Sequence, residues 1–220
     1  LAALARGGLA LLAGGYRVAV GGRNLAFDRG WKTSHTVEIP TVSIGNLTLG
    51  GTGKTPMVEW VARWYRARGR RVAILSRGYG RAHSANDEAL VLEQNLPDVP
   101  HLQGADRVRL AQIAIEELQA EIAVLDDAFQ HRRLRRDLDI VLLDALDPFG
   151  LRWIFPRGLL REPVSGLGRA HFAIITRADM VDSSDLDQIR SDIARVAPEL
   201  PVATARHAPA GFVTLDAPDE

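Results

Sequence analysis

At 220 residues the chain is long enough for one large domain with a buried core, and 46% apolar with 25% charged residues excludes a disordered polymer. Basic and acidic residues balance to a formal net charge of zero, which argues against a nucleic-acid partner held by a basic surface. With no cysteine, disulfides, thiolate nucleophiles and zinc–thiolate sites are excluded, and a reducing compartment fits.

The sequence opens on leucine, so its start is expected to be trimmed. Leu1 to Val20 is rich in Leu, Ala, Val and Gly, with only Arg6 and Arg17 charged. A membrane span wants about 20 apolar residues with few charges. Two arginines and four glycines make a span a poor fit, and no cleavage site marks a secretory signal. Arg23, Arg29 and Lys32 then add positive charge beside the apolar run. That pairing suits a helix lying on an anionic membrane surface, with a helix packed on the domain as the plainer alternative. Residues 1–35 are read as this amphipathic, membrane-associating segment.

After Pro40 strands and helices alternate. "TVSIG" (41–45) predicts a strand, and Lys54 to Arg68 a helix with Val58, Val61, Ala62 and Tyr65 on its apolar side. "RVAILS" (71–76) predicts the next strand, and Arg77 to Asp87 a polar, Gly-rich loop. "ALVL" (89–92) reads as a short strand and Asp106 to Gln119 as a helix. Strands follow at 121–127, 137–145 and 171–179, then a helix over Asp185 to Val196 and a strand at 201–207. Val-, Ile- and Leu-rich strands between helices predict an α/β fold, a mostly parallel sheet covered on both faces. Residues 36–200 are expected to be a phosphate-loop (P-loop) NTPase-like core. Residues 201–220 are read as the start of a connection to a C-terminal domain absent from this sequence.

The stretch "TVSIGNLTLGGTGKTP" carries the strongest chemical signal. The common phosphate loop is G-x-x-x-x-G-K-[ST] between a strand and a helix. Here Gly53, Lys54 and Thr55 fill the last three places and Thr48 stands at the first glycine's place, with Gly50 and Gly51 nearby. Glycines let backbone N–H groups turn inward around phosphate oxygens, at a helix N-terminus that favours negative charge. Thr48, Leu49, Gly50, Gly51, Thr52, Gly53, Lys54 and Thr55 are the predicted nucleotide-binding residues. Lys54 is expected to reach the β- and γ-phosphates, and Thr55 to ligate Mg²⁺. Pro56 sits in the first helical turn, where a missing N–H costs nothing.

"AVLDDAFQHRRL" ends an apolar strand in Asp126 and Asp127, the usual place for a second Mg²⁺-anchoring carboxylate. Alternation along a strand turns only one of them to the metal, and the sequence does not choose which. For a carboxylate beside the attacking hydroxyl, Asp87, Glu88, Asp144, Glu162 and Asp179 are all available. "TRAD" (176–179) is similar to the guanine-reading N/T-K-x-D motif with arginine for lysine, which keeps a GTPase-like switch as an alternative. A membrane adaptor that retains a nucleotide fold is another.

Taken in order, "VSIGNLTLGGTGKTP", "ILSRGYGR", "NDEALVL", "LDDAFQHRRLRRDLDIVLLD" and "PRGLLREP" resemble the tetraacyldisaccharide 4′-kinase (lipid A 4′-kinase) family from about Leu1 to Asp179. Threonine at the first glycine's place is normal in that family. The resemblance implies ATP and Mg²⁺ as cofactors. It implies transfer of the γ-phosphate to the 4′-hydroxyl of tetraacyldisaccharide 1-phosphate, giving lipid IVA in lipid A biosynthesis. It places this lipid kinase peripherally on the cytoplasmic face of a Gram-negative inner membrane, with a lipid substrate and a membrane surface as partners and no protein partner evident. Matched residue by residue, Lys54 and Thr55 are nucleotide and metal positions, Asp126 and Asp127 the metal-side acids, and Glu162 a further acid tied to Mg²⁺ through water. Asp87 matches the base for the sugar hydroxyl, with Lys54 and Asp127 as the other catalytic positions. Asn46, Arg77, Gln130 and His131 are expected on the acceptor side.

Three departures stand out. Ala89 replaces the family's proline after the base, which predicts a less rigid loop. Ala128 replaces a glycine, at an expected cost of about 1 kcal/mol if that site needs positive φ. The family's assisting histidine, in a "DHH"-like stretch of the second domain, has no counterpart among the six histidines here. The chain is therefore expected to be a catalytic core without its second domain, with its activity alone in question.

Overall fold

The computed structural model describes residues 2–78, 87–208 and 211, with side chains described for 6–78, 89–208 and 211. Among them lies one seven-stranded, wholly parallel sheet in the order β3-β2-β4-β1-β5-β6-β7. The strands are β1 (Thr41–Asn46), β2 (Val72–Ser76), β3 (His101–Gln103), β4 (Ile122–Asp126), β5 (Leu138–Asp144), β6 (Phe172–Thr176) and β7 (Val202–Thr204). The helices are α1 (Ala2–Asp28), α2 (Lys54–Arg66), α3 (Asp87–Asn95), α4 (Arg107–Glu116) and α5 (Ser183–Val196). β7 pairs with β6, so the sheet continues past residue 200.

β1, β2 and β4 are buried at every position, as strands covered on both faces must be. Val42, Ile74, Val124 and Leu142 point to the face packed by α2 and α3. Their alternates Ala73, Leu75, Ala123 and Leu125 meet α4 through Ala111 and Ala114. On that same face, Val141, Leu143 and Ile175 meet Ile189 and Ile193 of α5. Helix α4 is held at its start by Asp106, whose carboxylate accepts from the N–H groups of Val108 and Arg109.

Two sequence expectations change. Residues 89–92 are not a strand but lie inside α3, because Ala89, Leu92 and Leu96 recur at helical spacing and all three are buried under α2. Ala89 thus stands in the first turn of a helix, not in a loop. Strand β3 was hidden between them, being three half-exposed residues with no apolar run.

Helix α1 has 27 residues, about 40 Å of rod. Leu9, Leu11, Leu12, Val18 and Leu25 are exposed along it, while Ala13 and Val20 are buried. Its C-terminal half is seated on the core. Arg132 donates to the Asn24 carbonyl at 3.0 Å and to Asp28 at 2.6 Å, and the Tyr16 ring meets Phe155 edge-on at 6.0 Å. Among the described residues no helix is long and apolar enough to cross a membrane.

Glycine is compulsory at one point in the sheet. A Cβ on Gly45 of β1 would lie 2.6 Å from the Phe129 Cβ and 2.8 Å from its backbone nitrogen. This close approach presses the turn after β4 against β1. Gly45→Ala is expected to destabilise the fold by about 1–3 kcal/mol, the usual cost of overpacking. A urea midpoint equal to that of the unaltered protein would show that the turn is free to move away.

Candidate active site

The loop between β1 and α2 lies at the carboxyl end of the central strand, where the sheet order reverses direction and open α/β sheets bind ligands. It starts pinned: the Leu49 N–H donates to the Leu159 carbonyl at 2.7 Å, and Thr48 bridges Leu160 in antiparallel fashion. It ends at Gly53, the residue before α2, with φ 81°, a conformation that suits glycine. Added side chains on Gly50 and Gly51 would meet nothing, so the loop stands open on that side. Among the described residues, none accepts a hydrogen bond from the N–H groups of Gly51, Thr52, Gly53, Lys54 or Thr55. Five free donors at a helix N-terminus fit an anion with several oxygens.

The loop is held from beneath and from the side. Asn46, the last residue of β1 and fully buried, donates through Nδ2 to the Thr52 hydroxyl at 3.1 Å. The Thr176 hydroxyl donates to the Thr52 carbonyl at 3.0 Å. Arg177 adopts φ 54°, donates to the Gly51 carbonyl at 2.7 Å and pairs with Asp144 at the end of β5. The residue that suggested guanine reading therefore spends its guanidinium on the loop.

Asp126 ends β4 beside Ile44 of β1 and is nearly buried. Asp127 follows with φ 49°, so the chain has already left the strand and the alternation rule does not apply to the pair. Its two oxygens both accept from Arg161 Nη1 at 2.8 Å, and Lys54 Nζ stands 3.8 Å away. Positive φ falls on Asp127 and not on Ala128, which is fully buried beside Leu125 and Leu134. Alanine for glycine at 128 carries no left-handed strain.

Among the described residues no three His, Asp or Glu side chains gather into a metal cluster. The oxygens that could hold a metal at the phosphate loop are those of the Thr55 hydroxyl and of the predicted acids Asp126 and Asp127. Mg²⁺ suits such a set, since it keeps several waters and takes one or two carboxylates with substrate phosphates. Glu162 is differently placed. It is fully buried, with one oxygen accepting from Asn24 at 3.1 Å and Arg169 at 2.7 Å, and the other from Gln130 at 3.0 Å.

Among the described residues, one cavity borders the loop and another lies beside Asp127. The larger, about 640 Å³, is bounded by Gly51–Gly53, Met57, Trp60, Ile174 and residues 203–208. The smaller, about 370 Å³, lies between α1 and the acid turn and is walled by Arg23, Arg77, Arg107, Arg161, His131 and Asp127. Four arginines face one carboxylate there. Arg23 Nε, Arg161 Nε and His131 Nε2 are buried with no hydrogen-bond partner among the described residues. Burial, then Arg107, Arg136 and Arg133, push the His131 pKa down to about 4, against a smaller pull from Asp106. His131 is thus a neutral imidazole at pH 7, able to donate or accept.

Of the predicted residues, Lys54 stands 3.8 Å from Asp127, Asn46 bonds Thr52, and Arg77, Gln130 and His131 line the basic cavity. Asp87 opens α3, but its side chain lies outside the described residues, as do residues 79–86. Arg161 stood unassigned inside a motif already singled out. Arg23 was one of several positive charges on α1 and Arg107 the first residue of α4, and nothing local in the sequence set either apart.

A family model described as tetraacyldisaccharide-1-P 4′-kinase, LpxK, matches residues 6–219. A tetraacyldisaccharide 4′-kinase of Anaeromyxobacter dehalogenans strain 2CP-C is 43% identical over 97% of this chain and 61% of its own length. One from Syntrophobacter fumaroxidans is 44% identical over 78% of this chain and 49% of its own. The chain thus spans about 60% of the length of the first of these relatives. An LpxK from Aquifex aeolicus, solved in complex with ATP, superposes with a TM-score of 0.73 at 25% identity, covering 98% of this chain and 85% of that one. The hydrogenase maturation factor HypB of Archaeoglobus fulgidus, at 9% identity and a TM-score of 0.54, shares the fold alone.

His131 yields a pH test. Its pKa of about 4 in the fold lies below its ordinary 6.5, so the unfolded chain binds the proton more readily. This contribution to stability is present above pH 6.5 and is lost as pH falls towards 4. Denaturant midpoints of His131→Gln should fall less steeply than those of the unaltered protein across that window. Parallel curves would show that His131 titrates normally.

Proposed function

The chain belongs to the tetraacyldisaccharide-1-P 4′-kinase family, and on that premise we propose that it forms the ATP-dependent phosphotransferase core of a lipid kinase. The γ-phosphate passes to the 4′-hydroxyl of tetraacyldisaccharide 1-phosphate, a step of lipid A biosynthesis. The observation that carries this reading is the open phosphate loop, which borders an apolar cavity and whose Lys54 stands 3.8 Å from Asp127, a wall of the cavity of four arginines. The first cavity suits a nucleotide base, the second an anionic, hydroxyl-bearing acceptor.

Lys54 and the N–H groups of Gly51 to Thr55 hold the phosphates and neutralise charge in a loose transition state. The Thr55 hydroxyl and the carboxylates of Asp126 and Asp127 would hold Mg²⁺, which would supply charge neutralisation at the phosphates. Arg161 fixes the orientation of Asp127. Arg23, Arg77 and Arg107 steer the anionic acceptor, while His131 and Gln130 offer it hydrogen bonds. Asp87, placed by its motif, takes the proton of the 4′-hydroxyl as the new O–P bond forms and the bond to the β–γ bridging oxygen breaks.

The exposed leucines of α1, beside Arg17, Arg23, Arg29 and Lys32, give that helix the composition of an interfacial anchor. We place it on the cytoplasmic face of the inner membrane, where the lipid acceptor is met. The segment 1–35 then serves the membrane and the sheet serves the chemistry.

The reaction is tested by following the ATP γ-phosphate into tetraacyldisaccharide 1-phosphate in detergent micelles, with the Anaeromyxobacter relative as positive control. Lys54→Ala should lower turnover at least about 100-fold, the scale of losing a main charge stabiliser. Turnover within threefold of the unaltered protein removes Lys54 from this role. Asp87→Asn should keep ATP binding and lose transfer, and loss of ATP binding instead would place Asp87 on the nucleotide side. If the chain neither binds ATP nor forms product while the relative does, the reading fails.

A further inference from the structure

The hydrogen bonds around Glu162 run without a break from the helix that faces outward to the loop that faces phosphate. Asn24 of α1 donates to Glu162 Oε2 at 3.1 Å. Glu162 Oε1 accepts from Gln130 Nε2 at 3.0 Å. The same Gln130 nitrogen donates its second hydrogen to the Asn46 carbonyl at 2.8 Å. Asn46 Nδ2 then donates to the Thr52 hydroxyl at 3.1 Å, inside the loop. Glu162, Asn46 and Thr52 are all buried.

Two observations set this chain apart from ordinary packing. The amide oxygens of Asn24 and Asn46 are both buried with no partner among the described residues. A tie selected only for stability has no use for buried, unsatisfied acceptors. In addition, α1 has a further attachment through Arg132, which donates to Asp28 and to the Asn24 backbone carbonyl and lies over the Phe27 ring. The Asn24 side chain is therefore not needed merely to hold the helix down.

We propose that Asn24 is a positioning residue for nucleotide binding, acting through Glu162, Gln130 and Asn46 on Thr52. Losing its N–H group leaves Glu162 Oε2 to Arg169 alone, and the carboxylate swings towards that guanidinium. Gln130 follows the carboxylate and loosens its hold on the Asn46 carbonyl. The residue that precedes the loop then moves, and the Thr52 hydroxyl loses its donor. The seat of the outward-facing helix thereby sets the geometry of the loop, so that a well-seated α1 goes with a well-formed phosphate cradle. The inference rests on the nucleotide reading of the loop.

The test is the affinity of the purified chain for a fluorescent ATP analogue with Mg²⁺, in detergent and without any lipid acceptor. Asn24→Leu is expected to weaken binding about tenfold. Asp28→Ala, which weakens the Arg132 attachment by removing its ion pair without touching Glu162, is expected to leave it within twofold. Asn24→Gln, which keeps the donor, should recover part of the loss. Equal affinity for Asn24→Leu and the unaltered chain overturns the proposal, as does an equal fall in Asp28→Ala, which would mean that any loosening of α1 suffices. Should Asn24→Leu fail to fold, Asn24→Ser is read by the same criteria. If the unaltered chain itself binds no nucleotide, the functional reading fails first, and the coupling falls with it.

Discussion

A carboxylate shut off from water must be satisfied where it sits, and Glu162 is such a group. Its donors come from three places: α1, the turn after β4, and the segment ending at Arg169. Gly166 is glycine for the same reason, since a Cβ there would lie 2.8 Å from Glu162 Oε2. Each of the three pieces is a loop or a helix outside the sheet, with no strand pairing to fix it. The buried charge supplies what the sheet cannot, a single point on which three irregular segments must agree. Removing Arg169 leaves charge uncompensated in a dry place, and removing either amide leaves the carboxylate short of a hydrogen bond, so the arrangement resists partial disassembly.

The acid turn shows a second economy. Asp127 leaves the strand in a left-handed conformation that costs something for a non-glycine residue, and Arg161 and Lys54 both stand at its carboxylate. The strain is confined to the residue whose carboxylate faces the loop. Its neighbours are relaxed: Asp126 stays in register with β1, and Ala128 and Phe129 are core. Gly45 makes this possible by letting the Phe129 backbone come against β1. Sheet, turn and charge pair are thus fixed together over a short length of chain.

Most of the sheet was readable because its strands are apolar runs buried on both faces, and the loop was readable because its glycines and lysine serve phosphate directly. The failures share a physical cause. Residues 89–92 are four apolar-rich positions, too short for strand and helix periods to be told apart until Leu96 is seen to be buried with them. β3 is half exposed and carries no pattern at all. The conformation of Asp127 depends on Arg161, which lies far along the chain, so no local rule could move the positive φ off position 128. The arginine cavity was hidden for the same reason. Its walls come from α1, the end of β2, α4 and the segment after β5, and only folding brings them together.

The tryptophans have a practical bearing. All four, Trp31, Trp60, Trp64 and Trp153, are exposed, and none belongs to the core. Trp64 and Trp153 carry arginine guanidinium groups over their rings at 3.5 Å and 3.3 Å. Intrinsic emission from this protein is therefore a surface signal. Trp31 reports from just beyond α1 and Trp60 from the wall of the larger cavity, while the sheet between them is optically silent. A spectrum that changes need not mean a fold that has opened, and a spectrum that stays still is no assurance of an intact core.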